Sequence, residues 1–277
     1  MRTCFGFPSA VTALVSSVLV CGAASARFGT IEVPAAAMMD MKEGTIEAWV
    51  RFDFDPDHKS DLRWQSIASL AYLEIPEAEG DAGGSIHVGW GLEKATRHDR
   101  TTRRTTLRVA FIKEGKQIPH PALAVATPMG KGKWHHVAIT WKDGRYVRLY
   151  LNGKEAGGRD LAWSAERDIP SNARLVIGWP KYIHDNAIAV DEIRLSSIAR
   201  KPDDMGFHHA PLEPDPFTLY LENFERIGRA DGKLTTQPFR VDTDDEPLTI
   251  EGGAIVPGKY GNAYAFNLRP EPEKGKP

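Results

Sequence analysis

The segment over residues 131–155 constrains the fold of this chain most strongly, because it reads as a long β-hairpin. In its first strand Val137, Ile139 and Trp141 alternate with the neighbouring residues. A period of two places these three side chains on one face of a sheet. An Asp-Gly pair supplies a tight turn, and the second strand ends in Asn-Gly. Such a hairpin is typical of an all-β protein.

Short strand patterns separated by Gly and Pro recur along the rest of the chain, and helix signals are nearly absent. This punctuation favours a sandwich over an α/β fold. A long polar insertion precedes the strand that begins at residue 107. The predicted strands outside the hairpin lie at 28–34, 45–54, 65–73, 85–90, 107–113, 175–178 and 187–195.

The hairpin also carries a family pattern. Residues 132–141 read G-K-W-H-H-V-A-I-T-W, and residues 148–154 read R-L-Y-L-N-G-K. Both resemble the central motif of the laminin G-like and pentraxin-like domains, which share the concanavalin A-like jelly roll. The resemblance implies a jelly-roll β-sandwich of two antiparallel sheets. Counterparts of the family's other strands stand, in family order, at 44–51, 175–178 and 187–200.

The first 26 residues resemble a secretory signal peptide. Arg2 is their only charge, an apolar run covers 11–20, and Ala24-Ser25-Ala26 fits a cleavage site near Ala26. The apolar run is too short for a transmembrane helix. We therefore expect a secreted, periplasmic or cell-surface protein. Acylation at Cys21 is the alternative, although a Val precedes this residue where lipoprotein signals carry a small residue.

Charge and cysteine content narrow the function classes. The 277 residues carry a formal net charge of −2, and nucleic acid is not an expected partner of an exported, mildly acidic protein. Cys4 and Cys21 are the two cysteines, and both fall within the predicted signal. The mature chain would then have no disulfide and no thiolate site, so its stability must come from a large apolar core.

The sequence divides into four predicted parts, namely a signal peptide (1–26), a laminin G-like domain (27–205), a Pro-rich linker (206–216) and C-terminal strands (217–277). The last part either completes the first sandwich or begins a second, incomplete laminin G-like repeat. An unpaired sandwich edge is an aggregation liability, and two strands alone are not stable. These principles favour the first alternative.

Two groups of residues are candidates for ligand binding. Arg97, Arg103 and Arg104 lie in the basic polar insertion, and guanidinium forks match sulfate, carboxylate or phosphate oxygens. Trp179 and Tyr182 follow the L-V-I-G strand, where exposed rings could stack on sugars. We expect both groups to lie in loops on a rigid sandwich. The alternative for the basic group is a solvated hairpin.

Metal binding is not expected, and no cofactor is predicted. Asp53, Asp55 and Asp57 alternate in a loop where a His replaces the Gly that an EF-hand needs. Family members that bind calcium have acidic ligands soon after the L-x-I-G strand, where this chain has Trp-Pro-Lys. Asp185 and Asp191 are the remaining weak candidates, and Asp191 is better explained by a structural role.

The two adjacent histidines are not expected to form a metal site. His135 and His136 are adjacent on a strand and point to opposite faces, so they cannot chelate one metal ion together. His135 shares a face with the apolar residues and is expected to be a hydrogen-bonded core residue. Trp49 is expected at a core position.

Catalytic motifs are missing from the sequence. Laminarinase-like enzymes of this fold carry E-x-D-x-x-E on one strand, and this chain has no such motif. The sequence therefore predicts a secreted, non-catalytic domain that binds a glycan or another extracellular ligand. The alternatives are a structural or adhesion module acting through protein contacts and, less favoured, an enzyme like the glycoside hydrolases.

Overall fold

A computed structural model describes the chain in segments, and in the stretch 68–126 it describes the backbone alone. The described residues are 29–34, 40, 42–53, 68–75, 84–97, 100–113, 116–117, 123–126, 129–143, 146–160, 174–178, 188–241 and 246–266. Apart from one short 3-10 helix at Pro202–Asp204, all regular structure in these segments is β-strand. No helix in these segments has the length and apolar character needed to cross a membrane.

The strands are numbered in chain order. They are β1 (Thr30–Pro34), β2 (Gly44–Phe52), β3 (Ala68–Ile75), β4 (Gly84–Arg97), β5 (Arg100–Lys113), β6 (Lys116–Gln117), β7 (Leu123–Ala126), β8 (Trp134–Lys142), β9 (Tyr146–Leu151), β10 (Lys154–Asp160), β11 (Arg174–Gly178), β12 (Ile188–Ser196), β13 (Thr218–Glu222), β14 (Ile227–Ala230), β15 (Lys233–Thr236), β16 (Phe239–Arg240), β17 (Leu248–Glu251), β18 (Ala254–Pro257) and β19 (Asn262–Phe266).

These strands form two antiparallel sheets, which confirms the predicted all-β sandwich. Sheet A has the order β14-β15-β17-β1-β11-β3-β4-β5-β6, with β7 on β5. Sheet B has the order β10-β9-β8-β2-β12-β13-β16, and β19 joins β12 and β18. The predicted hairpin is β8–β9, and its register pairs Val137 with Leu151 and Trp141 with Val147.

Side-chain alternation on β2 shows how sheet B divides its residues. Ile46, Ala48, Val50 and Phe52 point into the apolar core between the sheets. The residues between them point to the opposite, outward face of sheet B, and Trp49 is one of these. Trp49 is buried, as expected of a core position, but it lies on the outward face of sheet B and not in the apolar cluster between the sheets. It is buried because other chain segments cover the outward face, as described below.

The C-terminal strands pair with strands of both sheets. β13 and β19 share one edge of β12, and β17 pairs with β1. Tyr220, Phe224, Tyr264 and Phe266 are completely buried in the common core. A Cβ atom on Gly29 would collide with the Tyr264 hydroxyl, so the start of β1 and strand β19 are in direct contact. The predicted domain boundaries stay a prediction, whereas the strand pairing is observed.

The basic segment before residue 107 forms a β-hairpin, which is the alternative that the sequence left open for it. Arg97 ends the fourteen-residue strand β4, and Arg103 and Arg104 lie within β5. The two strands pair over their full length, with Arg103 opposite Lys94 and Arg104 opposite Glu93. Threonines recur through this segment, and β-branched residues favour extended backbone. A charge count cannot detect that preference.

Candidate functional site

The outward face of sheet B is covered by the segment that follows β12, residues 197–217. Met205 is buried against Ala138 and Tyr150 of the hairpin. Leu212 is also buried, and its N–H donates to Glu192 at 2.5 Å. Both faces of sheet B are therefore shielded from water where this segment lies. This is why every residue of β8 from His135 to Trp141 is buried, although only alternate residues face the core.

A buried ionic network fixes this covering segment to the sheet. Glu47 on β2 accepts hydrogen bonds from Arg194 Nε at 2.7 Å, from the Gly206 N–H at 2.7 Å and from His136 Nε2 at 2.9 Å. Arg194 also donates to the Asp204 carbonyl at 3.0 Å. Three strands and the covering segment thus meet at one carboxylate.

Electrostatics hold Glu47 in its charged form. Burial by itself would raise the pKa of this carboxyl group. The hydrogen bond from His136, the positive charge of Arg194 and the N–H of Gly206 outweigh burial and lower the pKa below its usual value. We assign the network a structural role, because each of its charges is paired within the protein.

An aromatic group lies beside this network, and we call it the Trp49 cluster. It consists of Trp49, His136, Phe207, Lys259 and Tyr260. The Trp49 ring lies 5.4 Å from the His136 ring, 5.9 Å from the Phe207 ring and 6.3 Å from the Tyr260 ring, centroid to centroid. The Lys259 ammonium lies 4.7 Å from the Trp49 ring centroid, within cation–π range. Phe207 is 36% exposed, whereas Trp49 is 5% exposed.

A cleft lies between β12 and the covering segment, and we call it the β12 cleft. Its volume is about 580 Å³, within the range of small-ligand sites. Phe217 stands at the cleft with 46% of its surface exposed. The cleft is lined by Arg194, Ile198, Arg200, Asp204, His209, Pro211, Leu212, Glu213, Asp215 and Phe217.

Arg200 and Asp215 form the fixed polar part of the β12 cleft. The Arg200 side chain donates to Ser196 Oγ and to Asp215 Oδ1, each at 2.7 Å. Asp215 Oδ1 also accepts from the Thr218 hydroxyl at 2.8 Å and from the Phe217 N–H at 3.0 Å. The hydrogen bond from Arg200 is the main reason why the pKa of Asp215 lies well below its usual range. This carboxylate stays ionised and oriented without a ligand.

A third group of polar residues lies where β12 meets the C-terminal strands. Glu192 has φ +52°, and the β2–β12 register shifts between Asp191 and Arg194, so β12 has a bulge here. Burial raises the pKa of Asp191 to about 6 and those of Glu192 and Glu222 to about 7, against opposing backbone hydrogen bonds. The negative charge of Asp191 raises the pKa of Glu192 further.

These raised pKa values predict a stability that falls as the pH rises. The unfolded carboxyls have pKa values of about 3.9–4.3, so their folded-state contribution is complete below about pH 4. It declines above about pH 4, where the unfolded carboxyls ionise, and it is fully lost above about pH 7, where Asp191, Glu192 and Glu222 are ionised in the folded protein as well. We expect a lower Tm at pH 8 than at pH 5.

The matched variant for this pH effect is Glu192→Gln, whose amide imitates the protonated carboxyl group. Its carbonyl oxygen can still accept the Leu212 N–H. The Tm of this variant should change less between pH 5 and pH 8 than that of the wild type. Differential scanning calorimetry at both pH values measures this, and equal slopes for the two proteins would show that Glu192 does not cause the effect.

The three arginines predicted to bind ligand do not lie on these surfaces. Arg97, Arg103 and Arg104 belong to sheet A, whereas the β12 cleft and the Trp49 cluster lie on the outward face of sheet B. Trp179 and Tyr182 lie outside the described residues. Whether these five residues contact a ligand stays a prediction.

The metal candidates that the structure describes do not fit a calcium site. Asp53 pairs with Arg51 at 2.8 Å. Both oxygens of Asp191 accept backbone N–H groups, from Glu192 at 2.8 Å and from Lys259 and Tyr260 at 2.8 and 3.0 Å. Over the segments that the structure describes, no group of three or more His, Cys, Asp or Glu residues is arranged to hold a metal ion. Asp55, Asp57 and Asp185 lie outside those segments.

Sequence reasoning named Trp49 and His136 but did not assign them to a binding surface. His136, Glu47 and Arg194 carried one usable signal, because each is a polar residue at an outward position of a strand with an apolar inward face. Three such positions on adjacent strands indicate a cover over the sheet. His135 was predicted as a hydrogen-bonded core residue, and it is buried with its Nδ1 at 3.4 Å from Asn152 Nδ2.

Comparison with known families identifies the superfamily of this chain. A family model described as the concanavalin A-like lectin/glucanases superfamily matches residues 25–205, which is more than half of the chain. The chain belongs to this superfamily. No curated protein matches it by sequence.

Solved structures are similar to this chain at low sequence identity. A proposed carbohydrate binding protein from Bacteroides ovatus is 16% identical with a TM-score of 0.51, over 87% of this chain and 58% of the other. The present chain thus spans less than two thirds of the length of the Bacteroides ovatus protein. Domain 4 of an extracellular arabinanase from Geobacillus stearothermophilus, in complex with arabinotriose, is 14% identical with a TM-score of 0.37, over 63% of this chain and 69% of the other. A heptameric SAP-like pentraxin from Limulus polyphemus is 13% identical with a TM-score of 0.36, over 65% and 75%.

Proposed function

We propose that this protein is an exported, non-catalytic carbohydrate-binding domain that holds a sugar in the β12 cleft. The observation that carries the proposal is the combination of an exposed aromatic ring with a pre-oriented ion pair in one cleft, Phe217 beside Arg200 and Asp215. The Bacteroides ovatus structure, described as a proposed carbohydrate binding protein, supports the ligand class. Export rests on the predicted signal over residues 1–26.

The chemistry of the β12 cleft suits a sugar. A ring face such as that of Phe217 offers apolar contact to the C–H groups of a sugar. Carboxylates accept hydrogen bonds from sugar hydroxyl groups, and guanidinium groups donate hydrogen bonds to them. Because Arg200 and Asp215 already hold each other in place, little side-chain entropy is lost when a ligand binds.

The chemistry of Asp215, the carboxylate that Arg200 orients in the cleft, favours binding over catalysis. A glycoside hydrolase needs a protonated carboxylic acid as general acid beside a second carboxylate. Asp215 has a strongly lowered pKa, so it does not hold a proton at neutral pH. The sequence also lacks the E-x-D-x-x-E motif of the enzymes that share this fold. We therefore propose binding without hydrolysis.

The test begins with a glycan array and continues with isothermal titration calorimetry on the tightest ligand. We expect Phe217→Ala to weaken binding about tenfold, equivalent to ~1.4 kcal/mol. Tyr146→Ala is the matched control, because Tyr146 on β9 is 40% exposed and lies outside the cleft. If the array shows no glycan binding, or if Phe217→Ala binds as the wild type does, the proposal for this cleft is wrong.

A further inference from the structure

Two buried polar atoms of the Trp49 cluster have no hydrogen-bond partner among the described residues. They are the indole Nε1 of Trp49 and the Nδ1 of His136. Both side chains are at least nine-tenths buried. A buried polar group without a partner costs free energy, and such groups are rare in folded proteins. Two of them on rings in contact at 5.4 Å indicate that an external partner completes the site.

The chemical roles of the two atoms are complementary. The indole Nε1–H of Trp49 can only donate a hydrogen bond. His136 Nε2 faces the Glu47 carboxylate at 2.9 Å, so we assign the ring proton to Nε2. In the neutral ring Nδ1 is then an acceptor. A ligand that both accepts and donates over a short distance satisfies both atoms, and a sugar with neighbouring hydroxyl groups has this property.

Phe207 occupies the solvent side of this position. Its ring centroid lies 5.9 Å from Trp49 and 6.3 Å from His136, and it is 36% exposed. It belongs to the covering segment, directly after Gly206, whose N–H is held by Glu47. The backbone is thus fixed at residue 206, whereas the Phe207 side chain is partly exposed and lies against Gly153 and His208 as well as the two rings. Access to the two atoms from the solvent side would require a rotation of this side chain.

We propose that the Trp49 cluster is a second sugar-binding site, closed in the free protein by the Phe207 side chain. The ligand is a neutral sugar ring, with one hydroxyl accepting from Trp49 Nε1–H and its neighbour donating to His136 Nδ1. The half-buried Tyr260 ring borders the site, and Lys259 lies above Trp49. The choice of a sugar as the ligand rests on the proposed function. The location of this second site does not rest on it, because none of the residues of the Trp49 cluster lines the β12 cleft.

The experiment is an NMR titration of the ¹⁵N-labelled full chain with cellotriose, xylotriose and arabinotriose. Trp49→Phe identifies the Trp49 indole resonance among those of the seven tryptophans. We expect this resonance to shift with at least one trisaccharide, and the His136 Nδ1 resonance to move with it. If the open state is populated at about 10%, Phe207→Ala should tighten binding about tenfold. Circular dichroism and Tm verify that each variant is folded.

The outcomes separate this inference from the function proposed for the β12 cleft. Phe217→Ala should leave the Trp49 response unchanged. If Phe217→Ala abolishes that response, the resonance reports binding in the cleft, and the second site does not exist while the proposed function stands. If the Trp49 resonance of Phe207→Ala does not move, or if its affinity equals that of the wild type, the inference is overturned. Should Phe207→Ala fail to fold, a Trp49 resonance that stays in place during the wild-type titration overturns the inference in the same way.

Discussion

Removal of residues 217–277 is expected to abolish folding of the chain. The deletion leaves one edge of β12 unpaired and takes four completely buried aromatic residues out of the core, Tyr220, Phe224, Tyr264 and Phe266. Burial of each such side chain contributes about 1.5–3 kcal/mol. Their sum is comparable with the whole stability of a domain, about 5–15 kcal/mol. The truncated chain should aggregate and show no cooperative unfolding.

Size-exclusion chromatography and thermal unfolding of the chain ending at residue 216 measure this. That end point keeps Met205, Gly206 and Leu212, so a loss of folding cannot be attributed to removal of the segment that covers sheet B. Co-expression of residues 217–277 as a separate chain is the control, and it should restore soluble protein. A truncated chain that remains monomeric and melts at the wild-type temperature would show that residues 217–277 form an independent unit.

Replacement of Glu47 by Gln should have the largest effect of any single substitution proposed for this protein. The neutral amide leaves the buried charge of Arg194 without its counter-charge and weakens the hydrogen bonds from His136 and Gly206. Loss of one partner from a buried ion pair costs about 3–5 kcal/mol. Chemical denaturation should therefore show a much lower free energy of unfolding, and protease should cut the covering segment faster.

Glu155→Gln is the matched control for this substitution. Glu155 pairs with Arg148 at 2.6 Å, but both side chains are more than 40% exposed. Exposed pairs contribute about 0–1 kcal/mol. Equal losses in the two variants would contradict the role assigned to the buried network, because charge pairing alone, without burial, would then explain both results.

The effect of the deletion could be predicted from the sequence, whereas the effect of the Glu47 substitution could not. The unpaired edge was foreseeable, since an open sandwich is unstable and the C-terminal segment alternates like a strand. The Glu47 network was not, because Arg194 lies 147 residues away from Glu47 and Gly206 lies 159 residues away. Nothing local to either residue indicates that they meet.

The basic segment shows a different limit of sequence reasoning. Six basic residues against one acid in residues 94–108 left a binding loop and a hairpin open, and the backbone forms the β4–β5 hairpin of sheet A. Charge reports how a surface interacts with ions, whereas strand formation depends on backbone preference and on pairing with a neighbour. The two properties are independent, so the charge pattern could not reveal the strand.

Alternation along the chain was sufficient to predict the sandwich and the inward face of the β8–β9 hairpin, because a period of two fixes which side chains share one face of a sheet. The motifs of that hairpin also indicated the superfamily, and its Asp-Gly pair indicated the closing turn. The cover over the outward face of sheet B emerged only from tertiary packing. Phe207 reaches Trp49, and Arg200 reaches Asp215, through a segment without regular alternation. Such contacts depend on the packing free energy of the whole chain, and local periodicity carries no information about them.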